Sequence, residues 1–104
     1  MSLSKDQILA EIKRRVKAVD PNAEIWLFGS RARGDNRPDS DWDIIILVDK
    51  DLDYKDKWRL TDPIFDLGLE IGELFTPFIF TRKEWEKMNF TLFHSEVEQD
   101  KILL

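Results

Sequence analysis

Asp41 and Asp43, separated by one residue, open an apolar run, and Gly29-Ser30 precedes them with ten residues between. In an extended chain alternate side chains share a face, and two steps cover about 6.6 Å. The two carboxylates therefore project side by side and can reach one cation or a pair of them. Magnesium, or manganese in its place, suits such a site, because it takes oxygen ligands and completes its shell with water and substrate phosphates. Without a cation, two adjacent carboxylates repel each other. Gly29 lets backbone come close to a ligand, and a turn or helix start after it presents free N–H groups to an anion. The Ser30 hydroxyl adds a donor, and Arg31 and Arg33 add positive charge. Neither G-x-x-x-x-G-K-[ST] nor G-x-G-x-x-G occurs, so the familiar phosphate-binding fingerprints do not apply. A phosphate cradle facing a dicarboxylate cation site is what phosphoryl or nucleotidyl transfer requires.

These residues need elements to hold them. Trp42 to Val48 reads as a strand, and its unbroken Ile44-Ile45-Ile46-Leu47-Val48 run means both faces are covered, so it is central in its sheet. Ala23 to Phe28 reads as a short buried strand running straight into Gly29-Ser30-Arg31-Ala32-Arg33-Gly34. Asp35 to Asp39, with Pro38, is a polar loop. Ser4 with Gln7 forms a capping-box pattern, and Ile8, Leu9, Ile12, Val16 and Val19 recur at helical spacing until Asp20-Pro21-Asn22 ends the helix. Tyr54 to Leu60 is expected to form a short helix. A second is expected from Pro63, capped by Asp62 and closed by Gly72. Leu74 to Thr81 is a further strand that Pro77 places at an edge or a bulge. Thr81 and Glu84 repeat the capping box for a helix through Met88, and Leu92 to Leu104 is expected to be a final helix. The order predicts one small α/β or α+β domain over residues 1–104.

Composition narrows the setting. The chain has 104 residues, 42% of them hydrophobic, no cysteine and a net charge of -5. Disulfides and thiolate metal sites are excluded, and the acidic balance disfavours general duplex nucleic-acid binding. No segment approaches the roughly 20 apolar residues of a membrane span. The opening residues lack a signal-type apolar stretch, so a cytoplasmic location is expected. Between Asp35 and Asp56 stand eight aspartates and three basic residues, a density that suits bound cations and a solvated loop equally.

Gly29-Ser30 followed by Ser40-Asp41-x-Asp43 resembles the signature of the polymerase-β-like nucleotidyltransferase superfamily. The Gly-Ser-x-Ala-x-Gly form in so short a chain looks like its minimal members, often encoded beside HEPN-domain partners. The resemblance implies a small mixed sheet flanked by helices, with Gly29 and Ser30 on the triphosphate and Asp41 and Asp43 on magnesium. Arg33 and Ser40 join the nucleotide-binding set. It also implies transfer of a nucleoside monophosphate, AMP from ATP, to an acceptor hydroxyl. With no second domain to present it, the acceptor must come from a HEPN-type partner, a homo-oligomer interface or a small molecule. The family carries a third carboxylate on the next core strand, and the matching position here is Thr76. Glu73 falls on the opposite face by strand alternation, and Glu70 belongs to the preceding helix. The alternative is therefore a catalytically impaired nucleotide-binding antitoxin or regulatory module acting by contact.

Other residues carry plainer expectations. Ser40 is expected either to cap the turn or to touch ligand, and Arg31 and Arg33 either to form surface ion pairs or to meet phosphate. Asp49, Asp51 and Asp53 read as a solvated turn. His94 has no metal-type companions. The four tryptophans are expected mostly to fill or rim the core, and Phe90 and Phe93 to pack inside it.

Overall fold

A computed structural model describes residues 3–104. The elements run α1 (Lys5–Val19), β1 (Glu24–Phe28), α2 (Ser30–Arg33), β2 (Trp42–Val48), α3 (Tyr54–Ile71), β3 (Phe75–Thr81), α4 (Arg82–Lys87), α5 (Leu92–Asp100) and β4 (Ile102–Leu103). They build a mixed sheet in the order β3-β2-β1-β4. β2 is central as expected: it pairs antiparallel with β1 and parallel with β3, and β3 is the edge that Pro77 requires.

Strand alternation divides the core between the two faces of the sheet. On one face Ile25, Leu27, Trp42, Ile44, Ile46 and Val48 pack with Ile8, Ile12 and Val16 of α1 and with Leu60, Ile64 and Leu67 of α3. On the other, Ile45 and Leu47 meet Trp85 of α4 and Val97 of α5, and Phe28, Phe78, Phe80 and Phe93 pack around them. Phe93 is the hub of this aromatic group, with ring centroids 5.7 Å from both Phe28 and Phe78 and 6.0 Å from Trp85. Both capping boxes form: Ser4 and Gln7 exchange bonds at the start of α1, and Thr81 and Glu84 at the start of α4.

Three expectations are corrected. The helices proposed on either side of Asp62 are one helix, α3, running through Pro63. Proline removes one helical hydrogen bond at a cost of about 3 kcal/mol. Buried Leu60, Ile64, Leu67 and Gly68 continue one stripe across it, however, and the Arg15 guanidinium donates to the Pro63 carbonyl at 2.9 Å. The tail does not stay helical to its end. After Asp100 it turns extended, β4 pairs with Trp26 and Leu27, and the Leu104 amide donates to the Ile25 carbonyl. The outer edge of β1 supplies hydrogen bonds that another helical turn could not use. Trp58 and Phe90 lie outside the core, exposed on α3 and ahead of α5.

Gly72, at φ 73°, closes α3 in the left-handed conformation that glycine adopts without cost. Just before it, Gly68 marks where α3 is pressed against the start of β3. A Cβ there would lie 2.6 Å from the Glu73 carbonyl oxygen and 3.3 Å from the Phe75 ring. Gly68→Ala gains roughly 1 kcal/mol of helix propensity but must displace backbone. A net loss is expected, with thermal melting falling by at least about 4 °C. An unchanged or higher melting temperature would show that the α3–β3 junction yields freely.

Candidate active site

β1 and β2 run antiparallel with Phe28 opposite Asp43, so the turn after β1 lies beside the beginning of β2. Gly29 takes φ 74° and ψ -158°, a conformation closed to residues with a Cβ. It also has no room for one: a Cβ would stand 2.5 Å from Asp43 Oδ2. The aspartate carboxylate is thus seated directly against the glycine of the turn. Beyond Gly29 the chain enters the single turn of α2, in which the Gly29 carbonyl accepts from the amides of Ala32 and Arg33. The amides of Ser30 and Arg31 come first in that turn, where helix geometry leaves N–H groups without an intrahelical acceptor.

Asp41 precedes β2 and is exposed, whereas Asp43 is half-buried. Burial, followed by the nearby Asp41 charge, pushes the Asp43 carboxyl above its usual range, and Arg33 partly offsets this. Parallel pairing puts Thr76 directly beside Asp43, and the Thr76 hydroxyl donates to Asp41 Oδ2 at 3.2 Å. Thr76 therefore stands against both aspartates. The two glutamates on this stretch are engaged elsewhere. Glu73 accepts from the Trp42 indole N–H at 3.0 Å and lies 3.6 Å from Arg31. Glu70 pairs with Arg15 at 2.9 Å. Among the described residues no group of three or more histidine, cysteine or acidic side chains comes together as a metal cage.

The two arginines of the turn differ in work. Arg31 is a strut: its guanidinium donates to the carbonyls of Pro38 and Ser40 and lies 4.4 Å above the Trp42 ring. It ties the loop after α2 to the start of β2, a role the sequence pattern did not single out. Arg33 is more exposed and forks between Asp35 at 3.1 Å and Asp100 of α5 at 2.8 Å. Nothing local in the sequence pointed to Asp100, which arrives from 67 residues away. The Ser40 hydroxyl accepts from the Arg37 amide at 2.8 Å, closing the tight turn that delivers Asp41. His94 stacks on Trp85 at 4.3 Å, away from the aspartates' partners.

The residues present fit a hard divalent cation. Two carboxylates supply oxygen donors, one of them held partly out of water against a like charge, and a phosphate-bearing ligand can complete the shell. The opposite end of β2, near Val48 and Asp49, carries a separate cleft of about 310 Å³.

A family model described as a nucleotidyltransferase domain matches residues 6–103. MJ0141 of Methanocaldococcus jannaschii, assigned as a protein adenylyltransferase, is 32% identical over 94 residues, covering 88% of this chain and 90% of that protein. MntA of Haemophilus influenzae, with the same assignment, is 33% identical over 65 residues, covering 62% of this chain and 57% of MntA. That match spans little more than half of MntA. Among solved structures, a toxin–antitoxin protein crystallised with AMP-PNP shares the fold, with a TM-score of 0.63 at 20% identity over 90% of this chain and 69% of that one. With the family model spanning nearly the whole chain and a relative 32% identical over most of both chains, the chain belongs to the nucleotidyltransferase domain family.

Proposed function

We propose that this chain is a metal-dependent adenylyltransferase that moves AMP from ATP to a hydroxyl on a partner protein. The observation that carries this reading is the seating of the Asp43 carboxylate against Gly29, which brings a cation site and a phosphate-binding turn into contact. The assignment of the two relatives as protein adenylyltransferases supports the choice of nucleotide and of a protein acceptor. The resemblance implies a HEPN-type partner, and a toxin–antitoxin protein among the similar folds supports the same setting. ATP and magnesium are both abundant in the cytoplasm, where we place the reaction.

In this reading Asp41 and Asp43 hold magnesium, or manganese. When bound, the cation neutralises charge on the triphosphate and aligns its α-phosphate. The first amides of α2 and the Ser30 hydroxyl bind the β and γ phosphates. Arg33 borders the same turn and exchanges its carboxylate partners for phosphate. Ser40 closes the turn that presents Asp41. The acceptor oxygen bonds to the α-phosphorus, the bond to the pyrophosphate oxygen breaks, and pyrophosphate leaves. The acceptor proton finds no third carboxylate of this chain, because Thr76 occupies that place. A base on the partner, or water, takes it.

That same threonine favours a second reading, in which the chain binds nucleotide and acts on its partner by contact alone. The two are separated by incubating the protein with α-labelled ATP, magnesium and the partner. Under the first reading the partner becomes labelled, and Asp41→Asn/Asp43→Asn lowers the rate at least about 100-fold, as loss of several kcal/mol of charge stabilisation requires. ATP binding without any labelling supports the second. Thr76→Asp restores a carboxylate beside Asp43 and is expected to raise transfer by about 100-fold, the lower end of what a positioned base contributes. No gain would mean that the partner already supplies the base.

The Asp43 carboxyl also predicts a stability signature. A folded-state pKa raised above 3.8 means that ionisation costs stability as pH rises through and beyond that value. Without metal, Asp43→Asn is expected to melt higher than the wild type at pH 7, with the difference shrinking as pH falls through the raised folded-state value and gone below about 4. A variant that melts lower at pH 7 would make this carboxylate a structural group.

A further inference from the structure

Four large apolar side chains stand out of the exposed side of α3: Tyr54, Trp58, Phe65 and Leu69, at 80%, 61%, 47% and 86% exposure. Their spacing of four, seven and four residues puts them in one stripe along the helix. The opposite side of α3, with Leu60, Ile64 and Leu67, is the one buried against the core. The stripe therefore lies outside the buried core of the single chain. Beside it, Tyr54, Trp58 and Thr61 line a groove of about 410 Å³ with Pro77, Phe78 and Ile79 of β3. A second apolar hollow of about 240 Å³ lies at the other end, between Phe65, Leu69, Leu74 and Phe75. Two pairs of exposed apolar side chains, each beside an apolar hollow and separated along the stripe only by Thr61 and Asp62, mark a protein contact.

The pattern of the stripe selects the occupant. Trp58 and Phe65 lie equally far from the midpoint between Thr61 and Asp62, and so do Tyr54 and Leu69. Laid antiparallel on a second copy, the stripe matches itself: Trp58 meets Phe65, and Tyr54 meets Leu69, on both sides of a twofold axis. The charges on one bank obey the same symmetry. Lys55 and Arg59 flank the first half, and Asp62, Asp66 and Glu70 flank the second, all exposed. Antiparallel pairing sets the two bases of each copy against the acids of the other. Among the described residues Lys55, Asp62 and Asp66 make no ion pair, and Arg59 has only a loose contact with Asp56 at 3.9 Å. The neighbouring edge of β3 opposes pairing by strand addition, because Pro77 has no N–H to offer. Contact by side chains of α3 is what remains.

We infer that this chain forms a twofold homodimer through antiparallel packing of α3, with Trp58 and Phe65 as the central anchors. Such an isologous contact closes on itself. Sedimentation equilibrium of the full chain from about 1 to 100 μM, spanning ordinary dimer affinities, tests it. The wild type is expected to dimerise, and Trp58→Glu to raise the dimer Kd by about 100-fold, the scale of an aromatic anchor, with circular dichroism and melting unchanged.

Two charge variants remove any ambiguity from folding. Lys55→Glu/Arg59→Glu makes the bank acidic throughout, and Asp62→Lys/Asp66→Lys makes it basic except at Glu70, which Arg15 already holds. Each alone is expected to be monomeric, while an equimolar mixture forms a heterodimer in which the four altered positions and their facing charges at the centre of the contact are opposite in sign. A monomeric wild type across this range overturns the inference, including one that binds a different protein through this face. So does a dimer indifferent to Trp58→Glu, or a mixture that fails to associate.

Discussion

Asp43 can face the turn after β1 only because residue 29 has no Cβ, and that single close approach organises the rest of the site. The turn needs a positive φ, the carboxylate needs the space a side chain would take, and glycine meets both needs at one position. Antiparallel pairing of β1 with β2 then carries the geometry, since it places Phe28 opposite Asp43 and leaves Gly29 just past the last pair. A shift of one residue in that pairing would turn Asp43 into the core beneath α1 and α3. The apolar strand that follows Asp43 prevents the shift: Ile44 and Ile46 on one face and Ile45 and Leu47 on the other lock the register from both sides.

The two faces of the sheet do different work. The face under α1 and α3 is mostly aliphatic and closed, with Ile12, Val16, Ile44, Ile46 and Ile64 fully buried and Trp42 and Phe75 at one end. The other face is aromatic in its interior and ends in acid: Phe28, Phe78 and Phe93 fill the space next to the strand positions that hold Asp43 and Thr76. This neighbourhood is what desolvates Asp43 while leaving Asp41 in water. The site thus keeps one carboxylate in an unfavourable state for its charge, an arrangement common where a cation or substrate supplies the missing interaction. Arg31, held by carbonyls of the loop and by the Trp42 ring, keeps that loop from moving away from the strand. The loop is polar and carries Pro38, so this tether positions Asp41 where packing cannot.

Electrostatics also distinguish this chain from an arrangement with three acids. Thr76 lies in register with Asp43 and donates its hydroxyl to Asp41, so it quiets the repulsion between the two carboxylates rather than adding to it. Glu73, the nearest glutamate in sequence, is turned to the Trp42 side of the sheet and held there by an indole N–H and a guanidinium. The chain therefore presents two acids beside this turn, with a threonine hydroxyl where a third would stand.

Much of this was legible in the chain itself. Local chemistry determined the capping boxes at Ser4 and Thr81, the central position of β2, the edge position of β3 and the pairing of Gly29-Ser30 with Asp41 and Asp43. Except for that last pairing, which spans ten intervening residues and rested on the motif, each of these depends on residues within a few positions of one another, where steric and hydrogen-bonding preferences act directly. The threonine in place of an acid at position 76 followed from the resemblance, and the opposite facing of Glu73 from strand alternation. What only the tertiary structure decided involves groups that meet across long stretches of chain. Asp100 reaches Arg33 because α5 packs over the sheet, and the last residues become a strand because β1 has a free edge. α3 runs through Pro63 because one buried stripe continues past it, outweighing a local break. Sequence spacing sets which residues share a face, but which face meets the core, and which is left to solvent, is set by packing against elements far along the chain.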